Sequence, residues 1–276
     1  MKERIPLSRT KARVWPITLL RLHVTDDYST LSPSFRRSSE DSPAPQVEEW
    51  NMPRGNECAG SDLCQELAGA RDTTFSMVYE GEPPSRLIHR TENFRLLADL
   101  SPMTLGHLLL LPVDHYFSFA QLIDDLEEEL RGFLGKVEPA YRETFGRYTV
   151  LEHGSCPGME SSACISHAHW HILPVDGRRV NELILADGLT PTPLAGLDHL
   201  TRFDDAPYFM CLHEDGMSVY RPRRPMPRQY LRSIVAKIVG IADPLWDYAL
   251  VTRKDLFRET VALTSAWRVG TDPQPT

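Results

Sequence analysis

Hydrophobic positions are scattered through the first 56 residues and become ordered only after Cys64. Residues 86–89 and 94–99 read as short strands either side of the polar Thr91-Glu92-Asn93 turn. Residues 106–112 form an unbroken apolar run, the pattern of a short strand buried on both faces. Ser118, with Gln121 three positions on, has the spacing of a capping box. Apolar side chains then recur at helical spacing through Leu126, Leu130, Phe133, Val137 and Tyr141 to Phe145, which predicts a long amphipathic helix. The acids Asp124 to Glu129 at its start read as a solvated face favoured by the helix dipole. Residues 148–152 and 167–175 are further strands, with a loop expected from His153 to Gly158. Residues 208–213 and 217–221 flank Asp215-Gly216 as a hairpin, and helices are expected near 228–239 and 255–267.

Composition narrows the class. The stretches 29–34 and 38–45 are rich in Ser and Pro and lack periodicity, so residues 1–56 read as a flexible tail. Thirty basic residues against 38 acidic ones give a net charge of −8, which argues against a nucleic-acid binder working through a basic face. Phosphate substrates stay open, because a pocket concentrates positive groups locally. An odd count of five cysteines suits a reducing compartment better than a disulfide framework, and a cytoplasmic location is expected. Nothing in the chain approaches the roughly 18–20 apolar residues of a membrane span.

The chemistry concentrates at His167-Ala168-His169-Trp170-His171-Ile172-Leu173. Along a strand, alternate side chains share a face about 6.7 Å apart, so three imidazoles line one side while Ala168, Trp170 and Ile172 pack the other. Such a row serves two chemistries. It can hold a divalent metal with an open coordination position, giving a metal-dependent hydrolase. Alternatively, one neutral imidazole attacks phosphorus while its neighbours orient it. Parallel side chains on one strand converge poorly on a single tetrahedral ion, which favours the nucleophile.

This segment resembles the signature of the histidine-triad (HIT) family, a histidine at alternate positions with apolar residues between. Residues 94–102 and 106–115 resemble that family's central strand pair, and the Ser118 helix stands where its long helix belongs. The resemblance implies an α+β fold: an antiparallel sheet with a long helix packed on it, here with a C-terminal strand and helix extension. It implies a catalytic domain over residues 57–180, and an extension over 181–276 packing on or beside its sheet. The activity implied is that of a hydrolase or nucleotidyl transferase acting on a nucleotide or a nucleotidylated small molecule. His169 would attack phosphorus, His167 and His171 would orient it and manage the leaving group, and no cofactor would be required. Asp99 stands where the family places an acid on ribose hydroxyls, although an acid closing a strand before a Ser-Pro turn explains it equally. Glu152 and Gly154 match an Asn-x-Gly stretch with a carboxylate replacing the amide, and Cys164 stands near the phosphates. The altered Glu152 also admits a non-catalytic nucleotide-binding module. Together these features resemble a bacterial-type subgroup with an extended C-terminal region. Some members hold structural zinc; Cys64, His115 and His167 match three of those ligands, Ser61 replaces a cysteine, and Cys58 is the substitute donor. Homodimers are common in the family. The basic residues Arg228, Arg232 and Lys237 read as solvated surface, with polyphosphate binding as the alternative.

Overall fold

A computed structural model describes residues 60–157, 167–241 and 252–267. The expected tail, Cys58 and Cys164 lie outside the described residues. Among the described residues, eight strands form one antiparallel sheet: β1 (Leu87–Arg90), β2 (Phe94–Ala98), β3 (Leu108–Pro112), β4 (Thr149–Gly154), β5 (Trp170–Leu173), β6 (Pro191–Leu194), β7 (Tyr208–His213) and β8 (Gly216–Tyr220). Their spatial order is β1-β2-β3-β5-β4-β7-β8-β6, so the strands after residue 180 continue the same sheet beyond β4. The helices are α1 (Asp62–Leu67), α2 (Thr74–Tyr79), α3 (Ile123–Phe145), α4 (Gly177–Ala186), α5 (Tyr230–Val239) and α6 (Lys254–Thr264). The α+β class expected from the sequence is the observed one. None of the described helices is long and apolar enough to cross a membrane.

Strand parity sorts the side chains onto two faces. Leu96, Leu108, Leu110, Val150, Trp170 and Ile172 pack against Phe133, Val137 and Tyr141 of α3, with Tyr79 and Phe257 from α2 and α6. Burying each such large side chain contributes roughly 1.5–3 kcal/mol, which is what fixes the register of these strands. The opposite face carries two separate patches. Leu63 of α1 covers Leu97, Leu109 and Leu111, while Val180 and Ile184 of α4 and Leu231, Ile234 and Val235 of α5 cover Leu151, Phe209 and Tyr220. His171 sits between them, opposite Leu109 on β3 and Leu151 on β4.

Three details differ from the sequence reading. The long helix begins at Ile123 after a 3-10 turn over Phe119–Gln121, and Ser118 makes no side-chain cap. Gln121 instead accepts from the Phe117 backbone N–H at 2.9 Å. β5 begins at Trp170 rather than His167, because the Ala168 N–H is taken by the Tyr116 carbonyl at 2.7 Å. Among the helix acids, Glu129 is no mere solvated group: it accepts from the backbone and side chain of Asn93 and so pins the β1–β2 turn. Ahead of β3, Gly106 takes a φ of 79°, and a Cβ there would lie 2.7 Å from the Phe145 ring. Only glycine fits that approach, and it delivers His107 to the sheet.

Candidate active site

The gap between the two patches is a cleft of about 540 Å³, counting space open to solvent. His169, His171 and His153 line it together with Asp99, Arg86, Arg232 and Gln229, and Leu63, Leu100 and Leu109 supply apolar wall. His169 precedes β5, and its Nδ1 lies 2.8 Å from the His167 carbonyl. A carbonyl only accepts, so the Nδ1 carries the proton and the Nε2 keeps its lone pair. Burial lowers the His169 pKa, which keeps the ring neutral near pH 7.

A buried polar chain runs behind it. The Met103 N–H donates to His107 Nδ1 at 3.2 Å, so neutral His107 carries its proton on Nε2. Burial pushes His107 down to about 4 despite the opposing pull of Asp99, so this tautomer holds at neutral pH. His107 Nε2–H then donates to His171 Nδ1 at 2.9 Å, which leaves the His171 proton on Nε2. Burial, reinforced by His169 and His107, holds His171 far below the usual imidazole range. Asp99 Oδ1 accepts from the Ser101 N–H at 2.7 Å, and its Oδ2 accepts from Arg232 Nη1 at 3.0 Å. Burial alone would raise the Asp99 carboxyl, but neighbouring positive charge and the Ser101 N–H hold it down to about 2. At neutral pH the operative cation is Arg232, since His107 is uncharged.

His167 faces elsewhere. Its Nε2–H donates to the Pro112 carbonyl at 2.8 Å, and its Nδ1 lies 3.1 Å from Cys64 Sγ. His115 Nδ1 is also 3.1 Å from that sulfur, and the three ligand atoms lie within 4.8 Å of one another. One sulfur and two imidazole nitrogens suit zinc, and the Pro112 carbonyl fixes the His167 tautomer with its free lone pair inward. Burial lowers both imidazoles, His167 to about 4, so both are neutral and able to ligate. Bound there, zinc would supply structure by tying α1 to the start of β5.

Residues 80–178 match the model of the HIT domain. The matched segment, less than half of the chain, resembles the HIT domain. The chain is 29% identical over 102 residues to an uncharacterized HIT-like protein of Methanocaldococcus jannaschii, covering 36% of this chain and 76% of the relative. It is 27% identical over 112 residues to the protein hit of Bacillus subtilis, covering 40% of this chain and 74% of the relative. Among solved structures, a histidine triad protein from Clostridium difficile is similar at 24% identity and a TM-score of 0.27, over 43% of this chain and 92% of that one. A hypothetical histidine triad nucleotide-binding protein from Sulfolobus tokodaii strain7 is similar at 16% identity and a TM-score of 0.27, over 63% and 99%.

The fold brings some of the expected residues together and separates others. His169, His171 and Asp99 line one cleft, and His167 belongs to the Cys64 cluster beside it. Glu152 is a correction: it pairs with Trp170 in register and faces α3, away from the cleft. It accepts from the Phe119 N–H, Trp170 Nε1–H and Tyr208 O–H at 2.7–2.9 Å, and serves as a buried anchor. Gly154 shares that face and belongs to β4 rather than to a loop; a Cβ there would lie 2.2 Å from the Tyr208 ring, so its glycine makes room for packing. Asp99 reaches the cleft with both oxygens already engaged, as the Ser-Pro turn reading allowed. Arg232 is a second correction, being a buried partner of Asp99 and not a solvated base. His107, His153 and Gln229 were missed. The signal for His153 was parity, since it shares the β4 face of Leu151, the partner of His171.

Proposed function

We propose that this chain is an enzyme that cleaves a phosphoanhydride, phosphoramidate or phosphoester bond of a nucleotide, with His169 as nucleophile. The observation that carries the reading is the Nδ1–H bond to the His167 carbonyl, which leaves a neutral Nε2 lone pair on a ring lining the cleft. In the first step that lone pair bonds to the α-phosphorus. The bond from phosphorus to the leaving group breaks, and the leaving group departs with its electron pair, steadied by a hydrogen bond from His171 Nε2–H. Neutral His171 would become an imidazolate if it gave up this proton, so the leaving group takes its proton from solvent. The imidazole ring gains positive charge as the adduct forms, and the His167 carbonyl is already placed to stabilise it. Water then attacks phosphorus, the phosphorus–nitrogen bond returns its electrons to Nε2, and a proton passes to solvent. A metabolite in place of water makes the same site a nucleotidyl transferase.

Arg232 counts against using the Asp99, His107 and His171 cluster as a catalytic metal site, because its guanidinium already lies against Asp99. The test is mass spectrometry of a reaction with a dinucleoside polyphosphate or nucleoside phosphoramidate, quenched during turnover. A nucleotidyl group is expected on the peptide containing His169, and His169→Ala should lose at least about a thousandfold in turnover while staying folded. Full turnover by that variant would sink the proposal.

A further inference from the structure

The cleft holds a buried acceptor that nothing among the described residues satisfies. Gln229 precedes α5, outside the segment matching the HIT domain, and is 8% exposed. It lines the same cleft as His169 and His171, and its Oε1 is buried without a hydrogen-bond partner. Leaving such an acceptor unpaired is costly, and buried amides in native proteins are otherwise bonded. Its polar neighbours in the cleft are already engaged. Arg86 donates to Glu66 and to the Ala98 carbonyl, and Arg232 donates to Asp99 and the Ser101 carbonyl. His153 Nε2 accepts from the Leu231 N–H, and His171 Nδ1 accepts from His107. Among the described residues, the Nε2 lone pair of His169, the Nε2–H of His171 and the amide oxygen of Gln229 stay open toward a ligand.

We propose that Gln229 Oε1 accepts a hydrogen bond from an O–H or N–H donor on the nucleoside portion of the substrate, making Gln229 a specificity-determining residue. Asp99 already accepts from Ser101 and Arg232, one bond on each oxygen, whereas Gln229 Oε1 accepts none among the described residues. The inference rests on the nucleotide reading of the site and adds which residue reads the nucleoside. Two donors have the required chemistry, a sugar hydroxyl and an exocyclic base amine.

Calorimetric titration of the full chain with the four common ribonucleoside monophosphates tests this without requiring turnover. The tightest binder is then compared with its 2′-deoxy and 3′-deoxy forms and with an analogue lacking the base amine. One of these truncations is expected to weaken binding about tenfold, the order of one neutral hydrogen bond. Gln229→Leu should weaken the intact ligand by the same factor and make it indistinguishable from that truncated ligand. Should the leucine variant fail to fold, Gln229→Gly removes the same acceptor and suits the left-handed backbone, with φ at 58°. Discrimination that survives either substitution, or a wild-type protein indifferent to every truncation, would overturn the assignment alone. Failure of the wild type to bind any nucleotide would overturn the nucleotide reading as well.

Discussion

Asp99 and Arg232 carry opposite charges into a region where their side chains are 5% and 7% exposed. Each has lost most of its water, so each depends on the other and on the bonds to Ser101 for compensation. Replacing one partner is therefore worse than replacing both. Arg232→Met should destabilise the fold by about 3–5 kcal/mol by stranding a buried carboxylate. Adding Asp99→Asn should recover much of that loss, measured as a coupling energy in urea unfolding of the four proteins. Independent, additive effects would mean the two groups do not act as a pair. None of this was legible in the sequence, because 133 positions separate the two residues and Arg232 stands among other basic residues that do reach solvent. His169 was legible as a candidate because the period-two row of histidines is local in sequence, and so is the group that holds its proton, the carbonyl two residues back.

At the scale of elements, strong periodicity was readable and parity at strand ends was not. The β2–β3 pair, α3 and the β7–β8 hairpin stand where hydrophobic rhythm and turn residues put them. β6 escaped notice because Pro191 and Pro193 argue against a strand; it lies at the sheet's edge, where a missing N–H costs least. β4 shows what one residue of parity decides, with Leu151 under α4 and α5, His153 lining the cleft on that same face, and Glu152 on the face of α3. Burial raises the Glu152 carboxyl to about 7 even though Phe119, Tyr208 and Trp170 donate to it. Between the ordinary 4.5 and about 7, the folded chain keeps a proton that the unfolded chain releases. The Glu152 contribution to stability therefore falls as pH rises through that window, by up to about 3 kcal/mol, while the buried neutral histidines contribute with the opposite sign. The unfolding free energy of wild type minus that of Glu152→Gln, measured from pH 4.5 to 7.5, should fall as pH rises, because the two proteins share the histidine contributions. Equal slopes in both proteins would assign the pH dependence to other groups.

The cleft belongs to the molecule as a whole, since α1, β3, β4, the triad and α5 each supply part of its wall. Its geometry then depends on how firmly α1 is held to the sheet, and Cys64 is the natural fastening. That cysteine lies on α1, its neighbour His115 follows β3, and His167 leads into β5, so one ion would join three separate parts of the chain. A ligand bound only by the folded state stabilises it in proportion to the logarithm of its saturation, about 2.7 kcal/mol at a hundred times Kd. For a body of this size that corresponds to a rise of about 5–10 °C in Tm. Zinc added to chelator-treated protein should give such a rise with one equivalent bound, and Cys64→Ser should abolish both. On the proposed mechanism the same variant should still form the His169 adduct when cooled below its own Tm, because His167 meets the His169 ring through its backbone carbonyl rather than through its own ring. An unchanged Tm with zinc, or an equal gain in Cys64→Ser, would leave the cluster as a hydrogen-bonded thiol and imidazole contact. Loss of the adduct in folded Cys64→Ser would instead place the fastening of α1 inside the catalytic requirement.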